Sequence, residues 1–230
     1  MESEYKRIMV RRDVLADAKA DAAQERRRLT ERGTLVVNLV SSPGAGKTAL
    51  LAATARLWQG RHSMAVLVGD LETDRDAQRL APWAPVAQLT TGGACHLEMP
   101  LVRRGLIELG DPQVEFLFIE NIGNLVCPAS HDLGEHLRVV MLSVTDGDDK
   151  PGKYPKMFRT SHALVISKTD LLPYVPFQVD AAIQDARLVK PDLAALQVSS
   201  QTGEGLQAWC EFLRQSRIAM LEANLREMSV

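Results

Sequence analysis

The chain is short of net charge, of cysteine and of long apolar runs, and each shortage removes a class of function. A net charge of −2 supplies no basic footprint for nucleic acid and no attraction to an anionic membrane. No apolar run is long enough to span a bilayer. The segment from Met1 to Arg12 is charged and lacks the apolar stretch of a secretory leader. Three cysteines, an odd number, do not build a disulfide framework, and a reducing cytoplasm is the natural setting. There is no internal repeat, no low-complexity linker and no His-rich or Cys-rich tract that would store metal.

What is present suits one α/β domain with a full core. The chain has 230 residues, 46% hydrophobic and 24% charged. Residues 1–33 read as a charged helical extension ending near Gly33, with Val14, Leu15, Ala18 and Leu29 as a thin apolar stripe. The main domain is expected over residues 34–218, and a helical tail over 219–230. Short apolar runs at 34–40, 64–68, 114–119, 139–144, 163–166 and 194–198 alternate with helical patterns. Continuous apolar strands between helices predict a mostly parallel sheet with helices on both faces. From Gly205 a helical pattern puts Leu206, Trp209, Cys210 and Leu213 on one face, which assigns Cys210 to the core.

After the first run comes Ser41-Ser42-Pro43-Gly44-Ala45-Gly46-Lys47-Thr48, followed by a helical stretch from Ala49. A strand, a Gly-rich turn and Gly-Lys-Thr opening a helix are what a nucleoside triphosphate requires. The turn folds backbone N–H groups around phosphates, and the helix N-terminus adds partial positive charge. Gly44, Ala45, Gly46, Lys47, Thr48 and Ala49 are the expected nucleotide contacts, with Lys47 on the β and γ oxygens and the Thr48 hydroxyl on Mg²⁺. Ser41 stands where the general pattern has Gly.

Two further strands end in acids, Asp70 and Glu120. Strand ends are where a parallel sheet presents its ligand, so these carboxylates are the Mg²⁺ candidates beside Thr48. For Asp76 a role in hydrolysis and a solvated helix charge stand as equal readings. Gly123 sits where a backbone N–H would sense the γ-phosphate. Ser167-Lys168-Thr169-Asp170 follows a later strand. The Asp170 carboxylate suits the N1 and N2 hydrogens of guanine, and the Lys168 stem suits stacking on the base. Ser167 stands where the usual pattern has Asn. Ser199, Ser200 and Gln201, after the last strand, are placed to meet the base O6. GTP and GDP are therefore the expected nucleotides.

Cys95-His96 and Cys127 offer two sulfurs and a nitrogen, a donor set for Zn²⁺ or Ni²⁺ and not for Mg²⁺. A buried Cys with a surface His is an equally open reading at this point. His131 and His136 are expected to be ordinary loop or helix residues.

Together these motifs resemble HypB, the nickel-inserting GTPase family of hydrogenase maturation, from about Leu35 to Trp209. The carriers are the phosphate loop with its Ser41, Gly69-Asp70-Leu71-Glu72-Thr73, Cys95-His96-Leu97, the stretch Glu120 to Ala129, and Asp146-Gly147-Asp148-Asp149-Lys150-Pro151. The resemblance implies a cytoplasmic GTPase that forms a GTP-dependent homodimer and delivers Ni²⁺ to the hydrogenase large subunit with a second metallochaperone. It implies a metal site at the dimer interface built from Cys95, His96 and Cys127, which Zn²⁺ would also occupy. It places Lys150 and Lys153 in a switch and dimer-contact segment, with Lys153 among the nucleotide contacts. The alternatives are urease-type nickel delivery, and a nucleotide-gated metal-binding adaptor with little hydrolysis. No arginine finger is evident, so turnover is expected to be slow. Ser167 and the run Glu98-Met99-Pro100 depart from the family pattern. The chain lacks the N-terminal metal tract of some members, so high-affinity N-terminal nickel binding is expected to be absent.

Overall fold

A computed structural model describes residues 2–70 and 75–229, with side chains from residue 16 onward. Leu71, Glu72 and Thr73 of the second motif, and the Val14 and Leu15 side chains, lie outside the described residues. The strands are β1 (Leu35–Ser41), β2 (Met64–Asp70), β3 (Val86–Thr90), β4 (Phe116–Gly123), β5 (Leu137–Ser143), β6 (Ala163–Ser167) and β7 (Ala194–Val198). They form a 7-stranded sheet in the order β3-β2-β4-β1-β5-β6-β7. Every pairing is parallel, as the continuous apolar runs require.

The helices are α1 (Glu2–Glu31), α2 (Lys47–Trp58), α3 (Arg75–Leu80), α4 (Met99–Glu108), α5 (Lys150–Lys153), α6 (Pro155–Thr160), α7 (Val179–Val189) and α8 (Leu206–Met228). Side chains alternate across β1, so Leu35, Val37 and Leu39 meet Leu50, Trp58, Trp209 and Leu213 on one face. Val36 points to the other face and joins Leu29, Leu67, Leu97 and Leu106. Trp209 is fully buried, and its indole N–H donates to Thr54 Oγ1 at 3.0 Å. The burial of Leu206, Trp209, Cys210 and Leu213 agrees with the expected core face. On α1, Ala22 and Leu29 are buried, and the Arg217 side chain of α8 donates to the Gly33 carbonyl at 2.8 Å. The α8 helix runs without a break to Met228.

One strand escapes the sequence pattern. β3 lies at the sheet edge, where burial alternates along Val86, Ala87, Gln88, Leu89 and Thr90 in place of a continuous apolar run. The apolar run at 114–119 also continues as strand through Glu120, Asn121 and Ile122 to Gly123. That extension carries polar side chains to the C-terminal edge of the sheet.

Candidate functional site

The carboxyl ends of β1, β2, β4 and β6 gather at one edge of the sheet, and the phosphate loop leaves β1 there. Gly46, which caps α2, has φ 92°, a left-handed conformation open to glycine, and it aims the helix N-terminus into the loop. Lys47 Nζ donates to Ser41 Oγ at 3.0 Å, so the residue that departs from the general pattern holds the lysine. Thr48 Oγ1 donates to Glu120 Oε1 at 2.7 Å. Among the described residues the other Glu120 oxygen, Oε2, is buried without a hydrogen-bond partner.

These charges are expensive as they stand. Burial pushes the Glu120 carboxyl up to about 7, against the pull of Lys47 and Thr48. Burial also lowers the Lys47 ammonium, against the pull of Glu120, Asp76 and Asp70. Both groups are shifted toward neutrality although they attract each other, so desolvation outweighs their attraction. A phosphate at Lys47 and a cation at Glu120 would supply the missing opposite charges. The orphaned Oε2 and the Thr48 hydroxyl therefore fit Mg²⁺. Asp70 and Asp76 act electrostatically on Glu120 and Lys47, and Asp76 is also ion-paired with Arg79 at 3.3 Å.

A pH dependence follows. The folded Glu120 pKa lies above its unfolded value of 4.5, so the neutral form is the one the fold favours. Its contribution is full below 4.5 and is lost as pH rises to about 7. At about 1.4 kcal/mol per pH unit the loss is on the order of 3 kcal/mol. Thermal melts of the nucleotide-free, Mg²⁺-free protein should show this decline, and Glu120→Gln should flatten it. An unchanged slope in the variant would refute the assignment.

The residues expected to read the base lie on the loops after β6 and β7. Ser167 is buried and its Oγ donates to the Ala45 carbonyl at 2.6 Å, tying β6 to the phosphate loop. Lys168 has φ 60°, and its Cε lies 3.8 Å from where a Cβ on Gly46 would stand. Its stem thus lies against the turn that cradles phosphate. Asp170 Oδ1 accepts from Ser199 Oγ at 2.5 Å, which orients the carboxylate. The Ser199 backbone N–H donates to Glu204 and its Oγ accepts from Thr202 N–H at 3.1 Å, so the Ser199–Gln201 segment is part of a tight turn. Lys153 stands apart: it is exposed and ion-paired with Asp149 on α5, which packs against α6 and α7. Lys150 instead lines a cleft of about 260 Å³ with Ser42, Pro43, Gly123, Asn124 and Tyr154.

Beyond that cleft the sulfur and imidazole groups converge. One atom each from Cys95, His96 and Cys127 lies within 4.8 Å of the others. Cys95 Sγ is 2.8 Å from Cys127 Sγ and 3.7 Å from His96 Nδ1. The geometry answers the alternative of a buried Cys and a surface His, because Cys95 is exposed, Cys127 half-buried, and the groups face one another. The hydrogen bond to Cys127 raises the Cys95 thiol above its ordinary pKa. His131 is not an ordinary loop residue: its ring stacks on His96 with centroids 3.8 Å apart. The 3-10 turn Cys127–Ser130 curls the chain so that a residue four positions after Cys127 returns over it. His136 does lie away from the cluster, with Nδ1 accepting from Val36 N–H at 2.9 Å.

The two ends of the site share backbone. A Cβ on Gly123 would stand 2.7 Å from Pro43 Cα, so only glycine lets β4 press against the phosphate loop. One residue later, the Asn124 side chain donates to the Cys95 carbonyl at 3.2 Å and accepts from Val126 N–H at 2.8 Å. Asn124 thus ties the Cys95 loop to the Cys127 turn. From below, the buried Arg138 donates to the His131 carbonyl at 2.6 Å and to Glu135 Oε1. Asn38 of β1 also donates to Glu135 Oε1, at 3.3 Å.

A doubly covered parallel sheet with this loop on its central strand defines a P-loop nucleotide-binding protein, here with a cluster of two cysteines and an imidazole beside the phosphate end. The family model described as CobW/HypB/UreG, nucleotide-binding domain, matches residues 35–197. The chain is 44% identical over 224 residues to the hydrogenase maturation factor HypB of Azotobacter vinelandii, covering 97% of this chain and 74% of that protein. It is 39% identical over 217 residues to the hydrogenase/urease maturation factor HypB of Helicobacter hepaticus, covering 92% and 89%. The crystal structure of HypB from Helicobacter pylori in complex with nickel superposes with a TM-score of 0.84 at 38% identity, over 88% of this chain and 96% of that one. The chain belongs to the HypB family of hydrogenase maturation factors. Among the described residues no helix is long and apolar enough to cross a membrane.

Proposed function

We propose that this chain is a GTP-hydrolysing metallochaperone in which nucleotide state controls dimerisation and thereby nickel at Cys95, His96 and Cys127. The observation that carries the reading is the shared backbone. Gly123 touches the phosphate loop at Pro43, and Asn124 then ties Cys95 to the Cys127 turn. A change at the γ-phosphate is transmitted to the metal ligands through residues adjacent in sequence. The relative solved with nickel supports the choice of metal, and Zn²⁺ suits the same donors.

In this reading Gly44, Ala45, Gly46, Lys47, Thr48 and Ala49 hold the phosphates. Thr48, Asp70 and Glu120 hold Mg²⁺, which neutralises developing phosphate charge. Asp76 is the further carboxylate near the attacking water. Lys168, Asp170, Ser199, Ser200 and Gln201 select guanine. Lys153, exposed on α5, reaches the nucleotide from the second copy in the GTP-bound dimer. The partners are a second nickel metallochaperone and the hydrogenase large subunit, in the cytoplasm.

Two sulfurs and one nitrogen from one chain leave a metal shell open, and a second copy would close it. Sizing and metal analysis of wild type and Cys127→Ala, each with GDP and with a non-hydrolysable GTP analogue, test this. The analogue should shift the wild type to a dimer, and Cys127→Ala should bind Ni²⁺ at least about tenfold more weakly while still binding nucleotide. A size that ignores nucleotide, or Ni²⁺ binding that ignores Cys127, would remove the proposal.

A further inference from the structure

Beside the cysteine pair lies a second group of ligand atoms. His96, Glu98 and His131 each offer one atom within 4.8 Å of the others. His96 Nε2 is 3.3 Å from Glu98 Oε1, and the two imidazoles stack at 26° between planes. His131 Nδ1 lies 2.9 Å from the Cys127 carbonyl oxygen. A carbonyl only accepts, so Nδ1 carries the proton and Nε2 keeps its lone pair. That is how a metal-binding histidine is ordinarily prepared, with one ring nitrogen donating to a backbone carbonyl and the other free. His96 and Glu98 also line a cleft of about 280 Å³ with Thr90, Thr91 and Arg104, which leaves room for water ligands.

We propose that His96, Glu98 and His131 form a second, nitrogen- and oxygen-based site for a divalent transition-metal ion. This site shares His96 with the thiolate pair, so that an ion occupies one pocket or the other. The proposal rests on Cys95, His96 and Cys127 being a metal site.

The sharing follows from imidazole chemistry. His96 Nδ1 faces Cys95 Sγ at 3.7 Å while its Nε2 faces Glu98 at 3.3 Å. A neutral imidazole has one in-plane lone pair and one N–H. With the lone pair on Nδ1, His96 serves the thiolates and its Nε2–H donates to Glu98. With the lone pair on Nε2, it serves Glu98 and His131, and Nδ1–H faces sulfur. Moving the ring proton from one nitrogen to the other moves the ligand between pockets. No atom is gained or lost. Convergence of both lone pairs needs the stacked rings to open, by rotation of the half-buried His131 side chain. Imidazole suits Ni²⁺ in either pocket; the first adds two soft, anionic sulfurs when metal-bound, whereas the second adds a carboxylate, a ligand better suited to harder ions. The cluster is thus graded: a retaining pocket of sulfur, and a releasing pocket that opens on the cleft.

The test titrates full-length protein with Ni²⁺ alone, using GDP binding to confirm the fold of each variant. The natural chain should show the absorption band of sulfur-to-nickel charge transfer. Cys95→Ala/Cys127→Ala should still bind one Ni²⁺, more weakly and without that band. Adding His131→Phe or Glu98→Gln should weaken that remaining binding by at least about tenfold. In the natural chain, His131→Phe alone should leave the band and the affinity unchanged and should slow removal of Ni²⁺ by a chelator. A cysteine-free variant that binds no Ni²⁺, or binds it regardless of His131 and Glu98, overturns the second site. An unchanged removal rate in His131→Phe overturns it too, and that measurement does not depend on the double variant folding. Absence of the charge-transfer band in the natural chain is a separate failure, and it falls on the thiolate site.

Discussion

Replacing Lys47 with alanine is expected to weaken GTP binding by about two orders of magnitude or more. The ammonium is buried, held by Ser41 Oγ at 3.0 Å and aimed by the first turn of α2. A charge-assisted bond to a phosphate oxygen contributes roughly 1.5 to 3 kcal/mol, and Lys47 is placed for the β and γ oxygens together. The same burial makes the charge costly when no anion is bound, which is why the Lys47 pKa is lowered despite three nearby carboxylates. The variant therefore carries a two-sided signature. Affinity for a fluorescent GTP analogue should collapse, while the melting temperature of the nucleotide-free protein should stay the same or rise. Near-wild-type affinity would remove Lys47 from the phosphate site. A collapse of both quantities would show that the substitution only unfolds the loop.

The sequence reveals most of this framework because the strongest patterns are local. A strand, a glycine turn and Lys47-Thr48 must be contiguous to bind phosphate, so they read directly from residues 35–48. The buried strands read as apolar runs because both faces of each are covered. β3 does not, since at the sheet edge one face of Val86–Thr90 is only partly covered and its residues alternate. His131 was passed over for a different reason. Its role depends on a 3-10 turn that folds it back over Cys127 and on His96, which is 35 positions earlier in the chain. Tertiary stacking leaves no periodic trace. Ser41 shows the reverse case: it departs from the general loop pattern yet counts toward the family resemblance, and the structure adds the physical reason, its hydroxyl holding the Lys47 ammonium. The polar end of β4 was legible as chemistry but not as strand. Glu120, Asn121 and Gly123 break the apolar run, yet they remain strand, because Thr48 satisfies one carboxylate oxygen and Pro43 packs where Gly123 has no side chain.

Asp170→Asn is expected to remove the preference for GTP over ATP, with GTP affinity falling by about 10² to 10⁴. The carboxylate is half-buried and fixed through Oδ1 by the Ser199 hydroxyl at 2.5 Å. Its acceptor lone pairs suit the two N–H groups on the Watson–Crick edge of guanine. Adenine presents no such pair, so binding ATP strands a carboxylate without its partners. Asparagine keeps the shape but turns one acceptor into a donor, which opposes the guanine 2-amino group. Xanthine carries a carbonyl at that position, so xanthosine triphosphate should gain affinity as GTP loses it. This reciprocal change separates loss of recognition from loss of fold, because a damaged loop weakens every nucleotide together. Competition of GTP, ATP and xanthosine triphosphate against one fluorescent diphosphate measures all three. Ser167 contributes to the outcome from the side: its hydroxyl is committed to the Ala45 carbonyl at 2.6 Å, so it fixes β6 against the phosphate loop and leaves the base to Asp170. If GTP-over-ATP preference survives Asp170→Asn unchanged, guanine is read elsewhere, and Lys168 and the turn of Ser199, Ser200 and Gln201 remain as the readers named for this role.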